Sequence, residues 1–157
     1  MDDMKTNTAA WATGLLVACL TLPMAAVLGA WSLFDVSDAR PGGLAYYLGV
    51  PAGIRDVTGT FGECRPARFR WKGRDGLSAP FVVMHYGSQL PPDEALERHA
   101  AALTPLACQK DGESAATDSS PHTRPLRCAH PDVLAADIHV ETAGPCREVS
   151  LAFTLND

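Results

Sequence analysis

The chain begins with one long apolar run and then changes to short alternating segments. Residues 9–34, AAWATGLLVACLTLPMAAVLGAWSLF, hold no charged side chain over 26 positions. A bilayer core of about 30 Å takes about 20 apolar residues at about 1.5 Å each, so the run is long enough to span it with tilt. Trp11 and Trp31 stand 20 positions apart. On a helix that is about 30 Å, the spacing of the two headgroup belts. The pattern predicts a transmembrane helix over 9–34 behind a short tail over 1–8.

Several details refine that segment. Its start, MDDMK, lacks the basic character of a cleaved secretory signal, and its apolar core is longer than such signals use. Leu16-Val17-Ala18-Cys19 resembles the lipobox of bacterial lipoproteins, in which the Cys is lipidated and becomes the new N-terminus. A lipoprotein turns polar soon after that Cys, whereas here apolar residues continue from Leu20 to Phe34. Ala10, Gly14 and Ala18 recur at the small-xxx-small spacing that lets a second membrane helix approach.

After the run, residues 35–53 combine Pro and Gly with a short apolar patch and read as a linker. Tyr46 and Tyr47 within it suit either a membrane interface or burial against the domain. Ile54 to Phe61 and Ala67 to Lys72 read as a first hairpin joined by a turn over Gly62-Glu63-Cys64-Arg65-Pro66. The second of these strands alternates, with Ala67, Phe69 and Trp71 on one face and Arg68, Arg70 and Lys72 on the other. Pro80 to Tyr86 is apolar on both faces and predicts a central strand. Pro91-Pro92-Asp93-Glu94 opens a helix, with a proline in the first turn and acids at the positive end of the dipole. Pro105 ends it.

Residues 110–125 show no apolar periodicity and read as a mobile surface loop. Leu126 to His130 predicts a short strand. Val133 to Glu141 predicts another with Leu134, Ala136, Ile138 and Val140 inward, and Arg147 to Leu155 a last one with Val149, Leu151, Phe153 and Leu155 inward. Strands, one helix, then strands predict an α+β fold: one main helix packed on an antiparallel or mixed sheet of five or six strands in two layers. The folded domain is expected over 54–157.

Charge and cysteine usage narrow the function. The residues after the apolar run carry 12 basic and 16 acidic side chains, a net charge of about −4, which argues against nucleic-acid binding. Lys5 and Arg40 flank the run and leave the positive-inside rule tied. Cys64, Cys108, Cys128 and Cys146 all follow the run, and an even set in a small domain suits an oxidising compartment. The expected placement is therefore the inner membrane, with the N-terminus in the cytoplasm and the domain in a periplasm.

The four cysteines predict two disulfides, with three connectivities open. Cys108 with Cys128 is favoured because it closes the loop. Cys64 with Cys146 would then join two turns that an up-and-down drawing puts at opposite ends of the sheet. The rival reading uses these cysteines for redox or metal chemistry, with Cys128-Ala129-His130 presenting a thiolate and an imidazole on one strand face and His139 on the strand after it. No metal motif accompanies them, and His85, His99 and His122 are scattered. Ser88 lacks the G-x-S-x-G setting of a nucleophile, and no phosphate loop is present. The sequence therefore predicts no enzyme activity and no cofactor.

Arg65, Arg68, Arg70, Lys72 and Arg74 crowd ten residues of an otherwise acidic domain. They read as a face for lipid phosphate or an acidic partner, or as a solvated face paired with Asp137 and Glu141. The expected function is protein–protein interaction or an accessory role in a membrane complex, with an envelope protein as partner.

Overall fold

The alternating segments assemble into one antiparallel sheet. A computed structural model of the protein describes residues 33–110 and 122–156, with scattered positions between 19 and 31. The tail over 1–8, most of the expected membrane helix over 9–34 and residues 111–121 of the expected loop lie outside the described residues. Among the described residues, no helix is long and apolar enough to cross a membrane. The chain divides into two units after Leu33, and everything below concerns the second.

Seven strands form the sheet: β1 (Asp35–Ala39), β2 (Glu63–Lys72), β3 (Phe81–Ser88), β4 (Cys108–Lys110), β5 (Thr123–His130), β6 (Val133–Val140) and β7 (Arg147–Leu155). Their order is β1-β2-β3-β7-β6-β5-β4, so β7 has three strands on either side. The inward residues line up across it. Trp71, Val82, Phe153, Ala136 and Leu126 are successive cross-strand neighbours, and all are buried. Each large apolar side chain hidden this way contributes about 1.5–3 kcal/mol.

Helices α1 (Leu44–Gly49), α2 (Ala52–Val57) and α3 (Pro92–Ala102), with a 3-10 turn at Thr104–Leu106, complete the α+β fold. The Tyr46 ring meets Phe69 edge-on at 4.9 Å, which seats α1 on β2. Ile54 and Val57, one turn apart, bury the inner side of α2. Helix α3 carries Pro92 in its first turn, with Asp93 and Glu94 beside it, as the sequence predicts. It buries Ala95, Leu96 and His99. Arg124 on β5 reaches Glu97 of α3 at 2.6 Å, a cross-link between layers that also lowers the Glu97 pKa.

The structure corrects several expectations. Residues 35–53 are not a linker, since they supply β1, α1 and the start of α2. Ile54 to Phe61 is not a strand: Pro51 stands before the first turn of α2, and apolar residues at Ile54 and Val57 follow helical spacing. Residues 62–66 are not a hairpin turn, because β2 begins at Glu63 and pairs with β1 and β3. The sheet exceeds five or six strands because of β1 and the three-residue β4. The expected loop over 110–125 is shorter at both ends, with Lys110 in β4 and Thr123 already in β5. Leu134 points outward and is 42% exposed, while Val133 is fully buried. A register shift between Val133 and Ala135 against β7 inverts the alternation there.

Gly49 shows how closely α1 approaches the sheet. A Cβ at this position would lie 2.1 Å from the Trp71 indole, a rigid and buried ring. Gly49→Ala should therefore lower stability by about 1–2 kcal/mol despite the better helix propensity of alanine. A urea-unfolding midpoint at or above that of the parent protein would contradict this.

Candidate functional site

Strand β2 is irregular in its first half. Its register with β3 shifts between Glu63 and Arg65 and again between Arg65 and Arg68, around Pro66, which has no N–H to give the ladder. Strand β1 is irregular opposite it: Asp38 takes a φ of 66°, and the pairing slips between Val36 and Ala39. The last β1–β2 pair is Ala39 with Phe69, after which the two strands part.

A cleft of about 600 Å³ opens where they diverge. Arg40 and Pro41 line one side, Thr58, Gly59 and Thr60 another, and Glu63, Pro66, Ala67 and Arg68 the strand side, with Tyr46 against them. Burial pushes the Tyr46 phenol above its ordinary pKa, so it stays protonated there. Arg68 sits 3.4 Å from Asp38, whose carboxylate is 75% exposed and easily displaced. Among the described residues Arg40 and Glu63 have no ion pair. Two guanidinium groups against one lining carboxylate favour an anion, and the planar fork of Arg matches a carboxylate bidentately. The lining contains no His, Cys or Ser.

The basic run is regrouped by the same irregularity. Simple alternation would put Arg65 and Arg68 on opposite faces. The extra residue between them brings both to one face, since their β3 partners, Gly87 and His85, are two apart. Arg65, Arg68, Arg70 and Lys72 thus share the helix-free face, and Arg74 follows in the β2–β3 hairpin. Arg65 bonds Glu148 at 3.1 Å across Gly87, and Lys72 bonds Asp75 at 2.8 Å. Arg70 stacks on the Phe81 ring at 5.6 Å. Asp137 and Glu141 are not their partners, because β3 and β7 separate β2 from β6. His85 lies 3.6 Å from Glu148, yet burial lowers its pKa more than that carboxylate raises it, so the contact is not an ion pair at neutral pH.

All four cysteines of the domain are joined, Cys108 to Cys128 and Cys64 to Cys146. Cys108 and Cys128 face each other directly across β4 and β5. Cys64 and Cys146 share one end of the sheet, because β7 inserts beside β3 and starts level with the beginning of β2, on the other side of β3. The opposite-ends drawing is therefore wrong. The thiolate of the redox or metal reading is not available at Cys128, and His139 pairs with Thr123, far along β5 from His130. Among the described residues no His, Cys, Asp or Glu cluster is arranged to hold a metal.

A second polar cluster is enclosed. His99 is wholly buried, with Nε2 2.8 Å from Tyr86 Oη and its ring edge-on to Phe61 with centroids 4.9 Å apart. Tyr86 Oη also receives the Phe61 N–H at 3.3 Å, and Ser88 Oγ donates to the Phe61 carbonyl at 2.7 Å. Among the described residues Nδ1 of His99 has no hydrogen-bond partner. This cluster fastens the loop after α2 to α3.

Sequence reading missed the cleft, since Arg40, Tyr46, Thr58 and Thr60 fell in segments read as linker or strand. The available signal was Pro51 followed by Ile54 and Val57 at a three-residue spacing. The chain matches no protein-family model, and comparison with curated proteins and with solved structures finds no significant similarity.

Proposed function

We propose that the chain is a single-pass bacterial envelope protein, its N-terminus cytoplasmic and its domain periplasmic. There it serves as an accessory or assembly subunit, binding a carboxylate-bearing segment of another envelope protein in the Arg40–Arg68 cleft. The observation that carries this reading is the cleft itself: two guanidinium groups, one without an ion pair among the described residues, at a doubly bulged strand. The anchor rests on the uncharged run over 9–34, and the oxidising compartment on the two disulfides.

Arg40→Glu combined with Arg68→Glu tests the binding role. Hydrogen bonds to charged groups contribute about 1.5–3 kcal/mol each, so the double reversal should cut partner recovery by more than about tenfold. The partner is read as a crosslink from a photoreactive residue at Thr60 in mild detergent. Recovery should also weaken as salt rises, over a Debye length of about 8 Å at physiological ionic strength. Both side chains lie at the surface, so the melting temperature should change little. Undiminished crosslinking in the double variant, or an uncrosslinked monomer from the parent, removes the proposal.

A further inference from the structure

One end of the sheet is apolar in a way the other is not. The chain enters the domain at Phe34, whose carbonyl accepts the Gly73 N–H at 2.8 Å. Its ring packs so closely on Gly73 that a Cβ there would meet it at 2.6 Å. Beside it, the β2–β3 hairpin turns through Gly76, with φ of 60°, and holds Leu77 entirely in solvent. Phe81 is opposite Thr154 and Leu155 opposite Val133, so the β5–β6 turn and the bulged-out Leu134 lie at this same end. Helix α1 descends toward it, from Tyr46 on Phe69 to Gly49 on Trp71, with Leu48 62% exposed.

The charges there nearly balance. Lys72 and Asp75 neutralise each other at 2.8 Å, and Arg74 against Asp35 and Asp132 leaves a net charge of about −1 among the described residues. Attraction to anionic headgroups is therefore weak, and apolar contact dominates. At the opposite end the turns after β3 and β6 present no large exposed hydrophobic residue among those described, and the remaining exposed ones of the domain, Leu44 and Tyr47, lie on α1. Phe34 is also the last residue of the uncharged run.

We infer that this end of the sheet rests on the bilayer surface, with Leu77 inserted among the headgroups as a second contact beside the anchor. The inference depends on the membrane span proposed above. Its occupant is lipid, including zwitterionic lipid, not a second copy of the chain.

The test uses the full chain with Cys19→Ala, reconstituted in phosphatidylcholine vesicles. Leu77→Cys carries an environment-sensitive NBD probe, and Thr142→Cys, at the far end, carries the control. NBD emission at residue 77 should rise several-fold and be quenched by lipids spin-labelled high on the acyl chain, with no such change at residue 142. Equal, water-like spectra at both positions in protein that floats with the vesicles would overturn the inference and leave the anchor standing. Enhancement at residue 77 without lipid quenching would assign that surface to a second copy and also overturn it. Protein that does not float refutes the anchor and the inference together.

Discussion

Replacing Cys64 and Cys146 together by serine should remove about 4–5 kcal/mol from the unfolding free energy, the largest loss expected from any pair in the domain. The two lie 82 positions apart, so the bond closes most of the folded chain into one loop. Loop entropy grows slowly with length, and Cys108 with Cys128, 20 apart, should contribute about 3 kcal/mol. Domains of this size have only about 5–15 kcal/mol in total, so loss of the longer bridge alone removes about a third of that stability or more. Urea unfolding of the two double-serine variants measures the order. A smaller loss from the Cys64 and Cys146 pair would show that its unfolded state is already compact there.

Acid should destabilise the domain through His99. Its pKa falls from 6.5 to about 4 because burial penalises the cation, and an added proton on Nδ1 would find no partner. Tyr86 and the Phe61 ring are its neighbours, and neither carries charge at neutral pH. Once the chain unfolds, the imidazole takes up a proton as pH drops through about 6.5; folded, it resists until about 4. The unfolded state therefore binds more protons within that window. Stability is full above it, declines as pH falls through it and levels off below about 4. The decline should reach about 2–3 kcal/mol between pH 7.5 and 4.5. His99→Gln keeps a polar contact for Tyr86 and cannot titrate, so its stability should change less over the same range by that amount. Carboxylates and the similarly shifted His85 are common to both proteins and cancel in the comparison. Parallel pH profiles for the two proteins would refute the assignment.

Much of the sheet was legible because alternation survives wherever one face is buried. Ala67, Phe69 and Trp71, or Val149, Leu151 and Phe153, show their inward side without any structure, and α3 advertises its start through Pro92, Asp93 and Glu94. Alternation says nothing about bulges. The shift beside Pro66 returns Arg65 to the face of Arg68, and the one at Val133 turns Leu134 outward, and both depend on the neighbouring strand. The helices α1 and α2 are six residues each, too short for a helical period to stand out among glycines and prolines. The cleft was hidden for the same reason, being built from those helices and from two strands that separate. His99 read as one of several scattered imidazoles, since its burial depends on Tyr86 and Phe61, 13 and 38 positions earlier in the chain.

The central position of β7 bears on how the protein is made. Until residues 147–155 have been synthesised, β1-β2-β3 and β6-β5-β4 are two three-stranded fragments, each with an unpaired inner edge open to wrong association. The cysteines emerge in the order 64, 108, 128 and 146, so pairing on arrival would couple Cys64 to Cys108 and strand the other two. Native connectivity nests the short bridge inside the long one. If the domain is made in an oxidising periplasm, as proposed, then either oxidation waits for the whole domain or an isomerase undoes the first bond. On the second route, cells lacking such an isomerase should accumulate the protein as a misbridged form that migrates differently on non-reducing gels, and on the first they should not.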